Sequence, residues 1–151
     1  VLNDLLGGVA VTVLDDFTGI DDSLKKGETV TLHGEQALTY VRTRYGLEDS
    51  SNSTRMVRQK QYLNAIYDKA MLRIDEDDEF VVEWSVELAD YIGSDRSVKQ
   101  VQGRTKKLSQ YELTEIDSIE GNSKVKNGLM EFYPDADSVD EIVFDLFYKK
   151  K

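Results

Sequence analysis

The 151-residue sequence has no cysteine, one histidine and one proline. Without cysteine the chain can form neither disulfide bonds nor thiolate metal sites, although this absence does not identify a cellular compartment. Basic residues are scarce as well: 19 Lys and Arg stand against 29 Asp and Glu, giving a formal net charge of −10. This balance argues against a duplex nucleic-acid partner, because such binding needs many cations to displace counterions from phosphates. Any anion-binding site must therefore be local.

Long apolar segments are missing too. No run approaches the roughly 20 residues that span a bilayer, and no signal sequence opens the chain. The first eight residues look like a helix end that runs into the Gly7-Gly8 turn. We therefore expect a longer protein, whose upstream part could hold a membrane anchor. Hydrophobic residues make up 40% and charged residues 32% of the chain, which is typical of a globular domain with a single core.

Hydrophobic periodicity predicts strands towards both ends of the chain and helices between them, a pattern typical of one layered α/β unit. Val9, Val11 and Val13 alternate with smaller residues and predict a central strand over 9–14. Helices are predicted over 34–41, 54–74, 78–92 and 95–107, and a final helix follows a cap at Asp137 or Ser138. The cap of the helix over 95–107 is predicted to be Ser94 or Asp95. Strands are predicted over 110–119 and 129–133, with a polar turn over 121–128.

Several polar features admit two interpretations. The aspartates in loop 15–22 could bind calcium, but they lack the alternating ligand spacing of an EF-hand loop, which favours turn chemistry. The acidic run 75–79 could hold a metal, but its position before a predicted helix favours capping of that helix. His33 is interpreted as a helix-entry residue, and Trp84 as a core residue.

Four arginines form the most informative pattern. Arg55 and Arg58 lie about 60° apart on a helix, at the edge of its apolar face. Arg42 and Arg44 point to one side of the chain if the segment after the preceding helix is extended. The four guanidinium groups could then converge on one pocket.

The surroundings of these arginines favour an anion. Residues 50–61 contain no acidic side chain, so the arginines have no obvious local partner. The predicted helix N-terminus adds free N–H groups and a partial positive charge, and guanidinium forks suit phosphate. The alternative is that the arginines pair with distant acids or only solubilise a helix.

Three motifs follow one another in the first 70 residues. They are Leu6-Gly7-Gly8-Val9-x-Val11, then Gly27-x5-His33-Gly34-Glu35-Gln36-Ala37-Leu38-x-Tyr40-Val41-Arg42-x-Arg44, then Arg55-x-x-Arg58-Gln59. In this order they resemble the latter part of the LytR-CpsA-Psr family. The resemblance implies an α/β (α+β) fold in which helices flank a mixed β-sheet. Within a single domain fragment, it implies that residues 1–74 are the C-terminal part of the catalytic domain and 75–151 an extension packed on it.

The same resemblance implies a phosphotransferase outside the bacterial cytoplasmic membrane, anchored to that membrane in the full-length protein. Its substrate is a glycopolymer linked to polyprenyl phosphate or pyrophosphate, such as wall teichoic acid or capsular polysaccharide, and its acceptor is peptidoglycan. By this resemblance Arg42, Arg44, Arg55 and Arg58 contact phosphates and Gln59 steadies them. Magnesium belongs to the full-length domain, and we expect this fragment to bind no metal.

Two departures from the family pattern matter. Asn52 stands where many members carry an aspartate, and the earlier half of the family domain, with its Arg-Asp-Thr-like motif and magnesium-binding aspartates, is absent. We therefore expect the 151-residue chain to be inactive by itself. The alternatives are a non-catalytic module that binds phosphate or anionic polymer, and a transcriptional attenuator; the acidic charge balance argues against the second.

Overall fold

A computed structural model describes residues 1–77, 79–114 and 116–148 and shows a chain built from both helices and strands. This confirms the predicted α+β class, with the strands arranged as two antiparallel pairs. In chain order the elements are α1 (Leu2–Leu5), β1 (Val9–Thr12), β2 (Thr29–Leu32), α2 (Gly34–Arg42), α3 (Asn52–Glu76), α4 (Phe80–Glu87), a 3-10 turn (Ala89–Tyr91), α5 (Val98–Leu108), β3 (Gly121–Lys126), β4 (Leu129–Pro134) and α6 (Ala136–Phe147).

These elements form two compact units, one over Val1–Leu113 and the other over Thr114–Lys151 as far as the latter is described. The first unit contains the three family-like motifs, α1 to α5 and every described residue that is buried. The second contains β3, β4 and α6. The predicted division into a catalytic part before residue 74 and an extension after it stays a prediction.

The core of the first unit is built on strand β1. Val9, Val11 and Val13 are buried while Ala10 and Thr12 are exposed, as the period of two predicts. β1 pairs with β2 in antiparallel register. Within the described residues β2 is its only strand partner, and β2 itself was missed by the sequence prediction. Helix α3 packs against both β1 and α2.

Helix α3 carries the arginine motif and is the longest element at 25 residues. The Ser51 side chain caps it by accepting a hydrogen bond from the Thr54 N–H, so the helix begins two residues before the predicted Thr54. Its sequence is mostly polar.

No helix in the described part of the chain is both long and apolar enough to cross a membrane.

The helices after α3 are shorter than predicted. Helix α4 ends at Glu87, where a 3-10 turn replaces the rest of the predicted helix, and residue 78 lies outside the described residues. The prediction that Ser94 or Asp95 caps α5 is wrong. Ser97 caps it, with Gln100 completing a capping box.

The second unit contains a β-hairpin that the sequence analysis placed only in part. Strand β4 confirms the strand predicted over 129–133, but the polar turn predicted over 121–128 is wrong because Gly121–Lys126 form β3. The turn is confined to Asn127 and Gly128, both with positive φ, as a two-residue hairpin turn requires.

The segments on either side of this hairpin also differ from prediction. No strand occurs over 110–119 in its described part, residue 115 lying outside the described residues. Helix α6 forms as expected, but Asp135 caps it by accepting hydrogen bonds from the backbone N–H groups of Asp137 and Ser138. The predicted caps at those two positions are therefore wrong.

Candidate functional site

The end of α2 and the second turn of α3 are joined by the side chain of Arg58. This residue is only 1% exposed. Its Nη1 donates a hydrogen bond to the backbone oxygen of Tyr40 at 3.0 Å, and its Nη2 donates to the backbone oxygen of Thr43. Its Nε lies 3.1 Å from Asp15 Oδ2, as an ion pair whose angles do not form a hydrogen bond.

Two aromatic rings enclose the same guanidinium. Its central carbon lies 5.2 Å from the ring centre of Phe17 and 5.9 Å from that of Tyr40, within the range of cation–π contact. Burial lowers the pKa of Arg58, and the charge of Asp15 opposes this shift. Since arginine starts from a very high pKa, the group stays a cation and needs its carboxylate partner.

This arrangement corrects one step of the sequence argument. Arg58 does have an acidic partner, Asp15, which lies in the loop after β1 and is distant in sequence. The alternative that the arginines pair with distant acids is therefore confirmed for this one. Direct contact between Arg58 and a phosphate stays a prediction, but in this structure its guanidinium is directed at internal acceptors.

Further side chains on α3 hold the same junction. Gln59 Nε2 donates to the backbone oxygen of Val41 at 3.1 Å, and Gln61 Nε2 donates to that of Thr12 at 2.8 Å. The Tyr40 hydroxyl donates to Gln61 Oε1 at 2.6 Å, and burial raises the pKa of Tyr40 to about 12. The last carbonyls of a helix lack intrahelical partners. Residues of α3 supply them for α2, which fixes α2, β1 and α3 together.

The other predicted phosphate ligands surround this fixed junction with more freedom. Arg44 lies beside the start of α3, where its Nε donates to the backbone oxygen of Ser50 at 3.0 Å. Arg55 is in the first turn of α3; its Nη2 donates to Asn52 Oδ1, while its Nε is buried with no hydrogen-bond partner. Arg42 is exposed and makes no hydrogen bond or ion pair within the described residues.

Asp49, which precedes α3 in the chain, already has several hydrogen-bond partners. The oxygens of Asp49 accept hydrogen bonds from the Thr54 hydroxyl and from the N–H and hydroxyl of Ser51. The bonds from Thr54 and Ser51 hold the pKa of Asp49 below its usual value. Asp49 thus organises the start of the helix without pairing with an arginine, and the first turn of α3 carries no acidic residue.

The residues that the sequence analysis assigned to structural roles do have them. His33 occupies the N-cap position of α2. Trp84 packs against the core and stacks on Phe80, with ring centres 6.4 Å apart. In loop 15–22, Asp16 and Asp21 accept hydrogen bonds from the residues two positions ahead, as turn chemistry predicts.

Among the described residues, no group of three or more His, Asp or Glu side chains is placed to hold an ion. The assignment of magnesium to the full-length family domain stays a prediction.

The sequence predicted the arginines as ligands, but not the contacts made at this junction by Asp15, Tyr40 and Gln61. Tyr40 lies in the same family-like motif as Arg42, and its closeness to Arg42 in the sequence could have identified it. Asp15 gave none, because its pairing with Arg58 depends on how β1 and α3 pack.

Comparison with known proteins adds two findings. Residues 2–146 match the profile of the LytR_cpsA_psr family. No curated protein gives a significant match.

Solved structures share the fold over nearly the whole chain. B. subtilis TagT is 26% identical with a TM-score of 0.65, the match covering 96% of this chain and 55% of TagT. TagT bound to LIIa-WTA is 27% identical with a TM-score of 0.68, covering 96% of this chain and 55% of that one. B. subtilis TagV is 25% identical with a TM-score of 0.65, covering 99% of this chain and 60% of TagV. The chain thus spans little more than half the length of these proteins.

Proposed function

The chain belongs to the LytR_cpsA_psr family, and on that premise we propose that it is part of a cell-envelope phosphotransferase. The substrate would be an anionic glycopolymer carried on polyprenyl phosphate or pyrophosphate, and the acceptor would be peptidoglycan at the outer face of the cytoplasmic membrane. The TagT structure with bound LIIa-WTA supports this substrate class. Wall teichoic acid and capsular polysaccharide are both polymers of the required kind.

The observation that carries the proposal is the set of arginines left accessible around a rigid junction. Arg42 has no partner in the described residues, and Arg55 makes one hydrogen bond, to Asn52. Arg44 donates one hydrogen bond, from Nε, and its guanidinium lies over the ring of Tyr45. They are grouped about the end of α2 and the start of α3, whose N-terminus carries a partial positive charge. Guanidinium forks at a helix N-terminus suit a phosphate or pyrophosphate group.

These residues would act by positioning and charge neutralisation. In the transfer from a pyrophosphate-linked donor, an acceptor hydroxyl oxygen forms a bond to the phosphorus that bears the polymer. The bond from that phosphorus to the bridging oxygen breaks, polyprenyl phosphate leaves, and the hydroxyl proton is released to solvent. Arginines that hold the phosphate oxygens stabilise the charge that spreads over them and that builds up on the departing lipid phosphate. No described acidic cluster fits magnesium, so we assign no step to that ion and no residue to removal of the hydroxyl proton.

Binding of a short polyprenyl pyrophosphate tests the arginine site. We expect farnesyl pyrophosphate to bind the chain and Arg42→Gln to weaken that binding about tenfold or more, because a charged hydrogen bond contributes about 1.5 to 3 kcal/mol. Isothermal titration calorimetry gives the dissociation constants. Lys69→Gln is the matched control, since it removes the same charge from an exposed position later in α3. Equal affinity for the wild type and Arg42→Gln would remove Arg42 from the site.

A second candidate is a module that binds the phosphorylated polymer without transferring it. The observation in its favour is that the described residues include the exposed Arg42 but no cluster of acidic ligands. We expect the 151-residue chain to bind farnesyl pyrophosphate but to form no product from a lipid-linked donor and peptidoglycan. Transfer activity in the chain by itself would refute this expectation, and activity gained on adding an upstream half would favour the transferase.

A further inference from the structure

We propose that Arg58 is a positioning residue and not a phosphate ligand. It fixes the backbone between Tyr40 and Thr43, and thereby the directions of Arg42 and Arg44, which contact the anion. This inference rests on the proposed function of the site. It divides the arginine cluster into one buried residue that organises and three accessible residues that bind.

The first support is what Arg58 holds. Helix α2 ends at Arg42, and Thr43 leaves it with φ −58° and ψ 134°. Arg58 donates to the carbonyl oxygens of both Tyr40 and Thr43, one on each side of Arg42. The Thr43 carbonyl also directly precedes Arg44. The guanidinium of Arg58 therefore holds, by hydrogen bonds, the backbone that sets the directions of Arg42 and Arg44.

The second support is that Arg58 has no surface to offer a ligand. The side chain is 1% exposed, its ion-pair partner Asp15 is 13% exposed, and the rings of Phe17 and Tyr40 enclose it. A phosphate could reach the guanidinium only by displacing this shell. The Asp15 carboxylate also neutralises the charge that would attract an anion.

The third support is the choice of arginine. A planar guanidinium can donate to two carbonyls and face a carboxylate at once, whereas a lysine ammonium on a flexible stem cannot match that fixed geometry. Gln59 strengthens the same grip by donating to the Val41 carbonyl. Arg58 and Gln59, consecutive residues of α3, thus hold backbone carbonyl groups on both sides of Arg42.

The two possible roles of Arg58 predict opposite effects for Asp15→Asn. If Arg58 were a phosphate ligand, Asp15 would compete with the phosphate, and removing its charge would tighten binding. If Arg58 is a positioning residue, Asp15→Asn leaves a buried cation without its counter-charge, loosens the grip on Tyr40 and Thr43, and weakens binding.

The binding experiment titrates farnesyl pyrophosphate into the wild type, Asp15→Asn, Arg58→Lys and the control Lys69→Gln, well below each unfolding temperature. We expect the dissociation constant to rise about fivefold or more for Asp15→Asn and for Arg58→Lys, and to stay unchanged for the control. Arg58→Lys keeps the positive charge but loses the paired N–H donors of the guanidinium. Tighter binding by Asp15→Asn, or wild-type affinity of Arg58→Lys, overturns the proposal.

The salt dependence of the dissociation constant separates a positioning role from direct contact, because a loss of structure alone does not change it. Removing a direct phosphate contact lowers the sensitivity of the dissociation constant to salt. We expect Arg42→Gln to lower it, and Arg58→Lys to leave it at the wild-type value. Because lysine can still contact phosphate as a point charge, Arg58→Gln is measured too. A lowered salt sensitivity in Arg58→Gln would mark Arg58 as a ligand.

If farnesyl pyrophosphate does not bind, that result counts against the proposed function alone. The role of Arg58 is then tested by a measurement that needs no ligand. Residue-resolved hydrogen exchange follows the Thr43 amide, which bonds to the Thr39 carbonyl at the end of α2. In Arg58→Lys we expect this amide to exchange about tenfold faster while amides late in α3 keep their rates. Uniform acceleration, or none, means that Arg58 does not position this turn. If Asp15→Asn fails to fold, Arg58→Lys and Arg58→Gln decide the question.

Discussion

The two compact units of the chain use their apolar side chains in different ways. In Val1–Leu113, residues such as Phe17 and Tyr40 are fully buried and enclose the buried guanidinium of Arg58, which pairs with Asp15. In the described part of Thr114–Lys151 no residue is buried, and Phe132 is 54% and Phe147 76% exposed. The first unit is held by its core and by long-range polar contacts, and the second by a hairpin ladder, a turn and a helix cap.

This difference shows where the candidate function can be located. Arginines can be presented in a fixed geometry only if the backbone beneath them is immobile, and the α2–α3 junction has the packing to achieve that. A two-stranded hairpin beside one helix provides little comparable rigidity by itself. All the candidate ligands lie in the first unit.

Removing one aromatic side chain from each unit is the strongest test of the difference in packing between the units. Phe17→Ala is expected to cost about 3 to 5 kcal/mol of unfolding free energy, because it leaves a cavity in the core and removes the ring beside Arg58. Phe132→Ala in β4 should cost less than about 1 kcal/mol, since that ring is half exposed. Urea unfolding measures both. Equal losses would show that the units do not differ in packing.

The buried Tyr40 predicts a pH effect on the stability of the first unit. Because the pKa of Tyr40 is about 12 when folded and near the ordinary value of 10.0 when unfolded, the unfolded chain loses this proton first as the pH rises. Tyr40 therefore contributes its full stability below pH 10, and loses up to about 2 kcal/mol between pH 10 and 12.

Tyr40→Phe isolates this effect from other groups that titrate in the same range. We expect the free energy of unfolding of the wild type to fall more steeply than that of Tyr40→Phe over this pH window. Parallel curves would contradict the assigned shift. Tyr148→Phe, at an exposed position of the second unit, serves as the matched control.

The smallest expected effect is in the hairpin turn. Gly128 has φ +78°, with open space around the position of an added Cβ, so Gly128→Ala meets backbone strain but no clash. We expect a loss of about 1 kcal/mol that appears as faster hydrogen exchange in β3 and β4 only. Faster exchange of the β1 amides would show that the two units unfold together.

Much of the first unit was readable from the sequence because its signals are periodic. Alternating valines identified β1, and the apolar face of α3 identified the long helix to within two residues at each end. Strand β2 was missed because only Leu32 of its four residues is buried. A strand with one buried side chain has almost no period to detect.

Some errors in the later part of the chain had usable signals. The Asn127-Gly128 pair is a strong hairpin signal, and it would have extended the strand prediction back into Gly121–Lys126. Likewise, Ser97 followed by Gln100 has the spacing of a capping box, which distinguishes it from Ser94 and Asp95. By contrast, the early end of α4 at Glu87 has no sequence explanation that we can identify.

The sequence by itself determined the family, the fold class and the set of arginines, because these depend on residue order and on periodicity along single elements. Only the tertiary structure decided which arginine is buried. Arg55 and Arg58 look alike in the motif, but the packing of β1 against α3 brings Asp15 to Arg58 and leaves Arg55 at the helix start. Long-range packing of this kind leaves no local pattern, since the partner lies on another element.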